Sequence, residues 1–243
     1  CATTNQLQLA EGLGLMAGIF YANYIYLAGG ANASGAAQTR TVFFATINSS
    51  GNIVRADNGN ATGGWDTTSD LGGNLRRRGV AVGVNGYIYV IGGHDGSGPT
   101  TLSDIQYAKI DQTTGELNAF TTSTVTITAR WNEGAAAANG YMYVVGGCTS
   151  GAPPGSCSAQ SGVVEKVQVY NNYSASPASF TSSGNLFTTD RYGAASAVYN
   201  GYLYIAGGCT TATDCTTATD NTQFALLNDD GTVNTWNNTT DNT

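Results

Sequence analysis

The segment Asn85-Gly86-Tyr87-Ile88-Tyr89-Val90-Ile91-Gly92-Gly93 returns as Asn139-Gly140-Tyr141-Met142-Tyr143-Val144-Val145-Gly146-Gly147. It returns again as Asn200-Gly201-Tyr202-Leu203-Tyr204-Ile205-Ala206-Gly207-Gly208. A looser copy, Tyr24-Ile25-Tyr26-Leu27-Ala28-Gly29-Gly30, stands near the start. Asn-Gly signals a tight turn, because both central residues of a type I′ turn need positive φ. The Tyr, Ile, Val and Leu that follow suit a pleated strand, whose side chains alternate between two faces. Tyr87, Tyr89 and Ile91 share one face while Ile88 and Val90 share the other, so both faces are expected to be covered. The closing Gly-Gly predicts a close approach of another backbone. A doubly covered strand repeated at long period predicts sheets packed face to face around an axis.

The second glycine falls at 30, 93, 147 and 208, in steps of 63, 54 and 61 residues, each the size of a four-stranded sheet. A small-residue run precedes each Asn-Gly, at 79–84, 134–138 and 193–198, as the crowded innermost strand requires. Arg76, Arg130 and Arg191 each stand nine residues before the Asn. Downstream, residues 47–53 match 227–233, residues 110–117 repeat them with one residue added, and Phe120 and Trp236 follow on an expected fourth strand.

On the Arg, the small-residue strand, the Asn-Gly-Tyr-x-Tyr-x-x-Gly-Gly core and the later aromatic, the chain resembles the kelch-repeat β-propellers. The resemblance covers nearly the whole sequence. It implies one all-β domain over 1–243, with four-stranded antiparallel blades at about 13–71, 72–124, 125–186 and 187–243. Kelch proteins usually carry more blades, so these four are expected either to close on themselves, to stand as an incomplete ring or part of a longer array, or to assemble with further copies. Blade 1 departs from the pattern. Leu13 stands at the Arg position, Ala22-Asn23 replaces Asn-Gly, and 57–64 is an extra stretch before Trp65.

Charged residues make up 10% of the chain and the net charge is −7, which argues against nucleic-acid binding, because that needs a basic face. No run reaches the length of a transmembrane helix. Cysteine use points outward. Cys148 and Cys157 bracket the loop after one Gly-Gly, and Cys209 and Cys215 bracket the equivalent loop of the next blade. From Gly-Gly to the turn residue is 18 residues in blades 1 and 2, 24 in blade 3 and 20 in blade 4, and the excess lies in the cysteine-bracketed loops. Two local disulfides would restrain them and imply an oxidising compartment, hence an extracellular or cell-surface protein. Free thiols or a thiolate metal site are the alternatives; a single His and the absence of zinc-ligand spacing weigh against metal. Cys1 is expected to be a fragment boundary, a residue whose partner lies outside this chain, or the acylated first residue of a lipoprotein. Asn-x-Ser/Thr sequons stand at Asn32, Asn48, Asn60, Asn172, Asn237 and Asn238.

Catalytic chemistry finds little purchase. His94-Asp95 follows a Gly-Gly, but a triad or a multi-histidine metal centre needs partners the sequence does not supply. The run from Asp229 to Trp236 looks like the Asp-box turn of sialidases and also reads as an ordinary Asp/Gly turn; Asp229 and Asp230 alone are too few ligands for calcium. No cofactor or metal is expected. Arg76, Arg130 and Arg191 would approach one another around the axis, either to hold an anionic group or to bond backbone carbonyls between blades. The paired tyrosines are either a sugar-stacking surface or core. The expected function is therefore a non-catalytic binding or scaffold protein that contacts a surface protein or glycan. Its binding residues would include His94, Asp95, Arg76, Arg130 and Arg191, on the face carrying loops 31–38, 94–101, 148–162 and 209–221. A carbohydrate-binding adhesin, a glycan-acting enzyme and a repeating unit of a surface layer are the alternatives.

Overall fold

The structure is a computed structural model, and it describes residues 13–32, 38–54, 64–95, 100–152, 156–169, 180–184, 186–211 and 215–239. The ends of the chain with Cys1, most of the blade 1 insertion, and the sequons at Asn60 and Asn172 lie outside the described residues. Every described element is a strand, and among the described residues no helix is long and apolar enough to cross a membrane.

Four antiparallel sheets form a four-bladed β-propeller. In blade 2 the order runs from Val80–Val84 at the axis through Tyr87–Ile91 and Ile105–Lys109 to Thr121–Thr122 outside. Blade 3 repeats it with Gly134–Ala138, Tyr141–Val145, Val164–Gln168 and Thr181–Ser182. Blade 4 uses Ala195–Tyr199, Tyr202–Ala206, Thr222–Leu226 and Asn237–Asn238. Blade 1 uses Ala17–Tyr21, Tyr24–Ala28 and Val42–Ile47, but its outer edge is split between Ile53–Val54 and Asp66–Thr67, which residues 55–65 separate in sequence.

The turns follow the sequence. Asn85 and Gly86 have φ of 52° and 79°, and Asn139-Gly140 and Asn200-Gly201 repeat these values closely. Ala22 and Asn23 adopt the same turn at 52° and 69°, although alanine gains nothing from the left-handed region. On the outer hairpins Asp111 accepts amide bonds from Thr113 and Thr114, and Asp230 accepts from Thr232. Residues 229–236 are thus a side-chain-stapled turn leading to an outer strand.

Consecutive blades bury one another's faces. The core between blades 1 and 2 holds Tyr26, Phe44, Ile88 and Val90; that between blades 2 and 3 holds Tyr89, Tyr107, Met142 and Val144; that between blades 3 and 4 holds Tyr143, Leu203, Ile205 and Trp236. The paired tyrosines of blades 1 to 3 belong to these cores, whereas Tyr202 and Tyr204 of blade 4 are half-buried. Tyr26 donates through its hydroxyl to the Gly115 carbonyl at 2.7 Å, and the Tyr24 ring lies against Gly115, where any Cβ would collide with it. Tyr141 meets Gly231 in the same way, and Lys166 lies over that ring at 5.3 Å while donating to the Asp230 carbonyl at 2.7 Å. Inner strands of successive blades pack side by side from blade 1 to blade 4, whereas those of blades 4 and 1 make no comparable contact among the described residues. All four inner strands, including Ile19, Val82, Ala136 and Val198, line a cavity of about 250 Å³ on the axis.

Candidate functional site

The loops between second and third strands leave the propeller at the end where each inner strand begins, because Val80 pairs with Ile91 and Ile91 with Ile105. The residue after each Arg and the residue after each Gly-Gly meet there in a bridge. Arg77 and His94 exchange main-chain bonds of 3.0 and 2.9 Å, Trp131 and Cys148 of 3.0 and 2.8 Å, Tyr192 and Cys209 of 3.1 and 2.9 Å. The register therefore brings His94, both disulfide loops and the three Arg-bearing segments to one face.

The three arginines do something different from either expectation. Each is 1% exposed. Each guanidinium bonds within its own blade, to the carbonyl of the first glycine of Gly-Gly and to a polar residue at the head of the third strand. Arg76 binds the Gly92 carbonyl and, at 2.6 Å, Asp104; Arg130 binds the Gly146 carbonyl at 2.8 Å and Glu165; Arg191 binds the Gly207 carbonyl at 3.2 Å and Gln223 at 3.3 Å. Burial lowers the pKa of all three from the ordinary guanidinium value, opposed by Asp104 for Arg76 and by Glu165 for Arg130. What joins blades is the arginine main chain: Gly30, Gly93 and Gly147 donate to the carbonyls of Arg76, Arg130 and Arg191 at 2.7, 2.8 and 3.0 Å. These guanidinium groups brace the blades and are not presented to a ligand.

His94 is also buried, at 1%. Burial, then the neighbouring Arg77, push its pKa below the ordinary imidazole value, and Asp95 opposes them. Asp95 is half-buried and its amide donates to the Thr100 carbonyl at 3.2 Å. Among the described residues no three His, Cys, Asp or Glu side chains cluster as a metal site would need.

The loops themselves are organised. Cys148–Cys157 and Cys209–Cys215 are both disulfide-bonded. The first ties an added hairpin, Cys148–Ala152 with Ser156–Gln160, across its two strands. This hairpin stands on a buried cluster of Trp131, Tyr192, Cys148 and Cys157, with Cys209 packed against it and the Arg78 guanidinium 5.3 Å from the Trp131 ring. The second disulfide runs from the half-buried Cys209 to the exposed Cys215. Trp131 and Tyr192 escaped the sequence reading; their signal was a bulky residue directly after Arg in blades 2 to 4. Glu133 escaped it too. It is buried beside Gly92 between Arg130 and Arg76, and burial pushes its pKa up to about 8 against the pull of both arginines. The third-strand partners Glu165 and Gln223 were legible only as polar residues second in their strands.

A model of the Kelch motif matches residues 75–107, from just before Arg76 through the inner and second strands of blade 2 to Tyr107 in its third. No curated protein matches the sequence.

Proposed function

From the premise that this chain is a kelch-repeat β-propeller of four blades, we propose that it is a non-catalytic binding module of the cell surface or extracellular space, and that its partner is a protein docking on the loop face. The observation that carries this reading is the blade 3 hairpin. It lies in the longest of the four connections that follow Gly-Gly, it is tied by Cys148–Cys157, and it rests on buried aromatics. A loop already ordered before contact loses less entropy on binding, and rigid scaffolds place their recognition on such loops. The disulfides fit an oxidising compartment. A glycan surface is less favoured, because Trp131 and Tyr192, the aromatics of this face, are buried beneath the hairpin rather than offered to a sugar ring.

The test replaces 148–162 with a loop of the blade 1 length. The propeller should still fold, and capture on an array of surface proteins should fall while any glycan signal is unchanged. If protein capture persists, but edits to the opposite-face turns at 48–51 and 228–231 abolish it, the docking face is the other one.

A further inference from the structure

The blades are joined by a junction that repeats three times, and among the described residues each half of it also stands without its counterpart, one half on blade 4 and the other on blade 1. One seam is the glycine-to-arginine main-chain bond already described. A second lies nearer the axis: Arg78 donates to the Leu15 carbonyl at 2.8 Å, Asn132 to Arg78 at 2.8 Å and Gly193 to Asn132 at 2.7 Å. The four residues on this seam share left-handed φ values of 60°, 57°, 51° and 67° in chain order. Among the described residues the next bond of each seam is missing: no carbonyl receives the Gly208 amide, no amide reaches the Gly193 carbonyl, and the Leu15 amide has no acceptor.

The side chains match this pattern. Tyr26, Tyr89 and Tyr143 are buried by the following blade, whereas the equivalent Tyr204, with Tyr202 and Phe224 beside it, is only half-buried. Tyr199 on the same face of blade 4 is 74% exposed. At the other end, Ile88 and Val90 of blade 2 are closed off by blade 1, while the equivalent Ile25 and Leu27 of blade 1 are half-buried and Phe20 beside them is 57% exposed. An exposed apolar face of this kind marks an interaction surface. The two faces are not alike; they are the two complementary halves of the junction seen inside the chain.

We infer that the free face of blade 4 takes the free face of blade 1 of a second copy of this chain, in the register of the three internal junctions. The Gly208 amide then donates to the partner copy's main chain at the position of Leu13, and the Gly193 carbonyl accepts from the position of Leu15, whose backbone already has the left-handed conformation of its counterparts. Such a contact is heterologous. Made twice between two copies, it closes a ring of eight blades, within the size range of known propellers; unclosed, it grows as a filament.

The experiment is sedimentation and light scattering of the whole chain across a concentration series, with Tyr199→Asp and Phe20→Asp as variants. Both positions are exposed, so both variants should keep the wild-type circular dichroism and melting temperature. Wild type should reach twice the chain mass or more with rising concentration. Each variant alone should lose the closed dimer, and an equimolar mixture of the two should regain association, because one intact blade 4 face then meets one intact blade 1 face. A wild type that stays monomeric throughout would overturn the inference, as would association that Tyr199→Asp abolishes and Phe20→Asp leaves intact, the signature of a symmetric contact.

Discussion

Blades 3 and 4 are built from nearly the same residues in the same register, yet one is enclosed and the other is not. Tyr143 is fully buried and Tyr204 half-buried, though each is the second tyrosine of the same repeat. Arg130 is braced by the carboxylate of Glu165, and Arg191 by the neutral amide of Gln223. Where blade 3 carries the buried Glu133, blade 4 carries Ala194, three residues after each Arg. The comparison teaches that the blade itself is specified locally, by turn, strand pattern and Arg brace, while burial of its outward face is decided by the neighbour.

The largest separation between the two blades should come from the braces. Arg130→Met leaves the Glu165 carboxylate buried without its cation and should cost about 3–5 kcal/mol in urea unfolding. Arg191→Met leaves Gln223, which keeps its bonds to Thr188 and Asn238, and should cost only about 1 kcal/mol. The double variant Arg130→Met with Glu165→Met should recover most of the loss. Blade 1 already uses this solution, with Leu13 at the Arg position and Phe43 pairing with Leu27 where Glu165 pairs with Val144. Equal losses for the two single variants would break the comparison.

The next effect is a pH slope confined to blade 3. Glu133 has a folded pKa of about 8 against an ordinary 4.5. The folded state therefore binds the extra proton between these values, and stability falls as pH rises. It should be full below about pH 4.5, decline through neutrality and level off above about pH 8. Glu133→Gln should flatten this decline, and Ala194→Ser, at the equivalent place in blade 4, should leave it unchanged. Persistence of the slope in Glu133→Gln would assign it elsewhere.

The smallest separation is steric. Gly146 and Gly207 have φ of 62° and 65°, so an alanine is equally strained at both. At Gly146 the new methyl would stand 2.7 Å from the Arg191 carbonyl of the next blade, whereas at Gly207 it meets nothing nearer than the Thr219 carbonyl at 3.5 Å. Gly146→Ala should be the worse by about 1–3 kcal/mol.

Much of this was legible in the sequence, for identifiable reasons. Asn-Gly demands a backbone that few other pairs accept, so its three copies fixed three hairpins, and the period fixed the blades. The disulfide pairs were legible because each bracketed a loop longer than its counterparts. The arginine braces were only half legible. The carbonyl acceptor always lies 16 residues on, but Asp104, Glu165 and Gln223 lie at unequal offsets because the loops between differ in length. Glu133, Trp131 and Tyr192 read as connection because their burial arises from contacts across blades and loops. The exposure of Tyr199 was invisible for the same reason: an alternating strand pattern says which residues share a face, not whether another sheet lies on it.

The account rests on one junction used three times within the chain and left open at its ends. Amide hydrogen exchange at the second glycine of each repeat tests it most directly. At concentrations where the chain is monomeric, the Gly30, Gly93 and Gly147 amides should exchange slowly and the Gly208 amide fast. Slow exchange at Gly208 in the monomer, equal to that at Gly147, would mean that the fourth junction is already filled within the chain and would contradict the account.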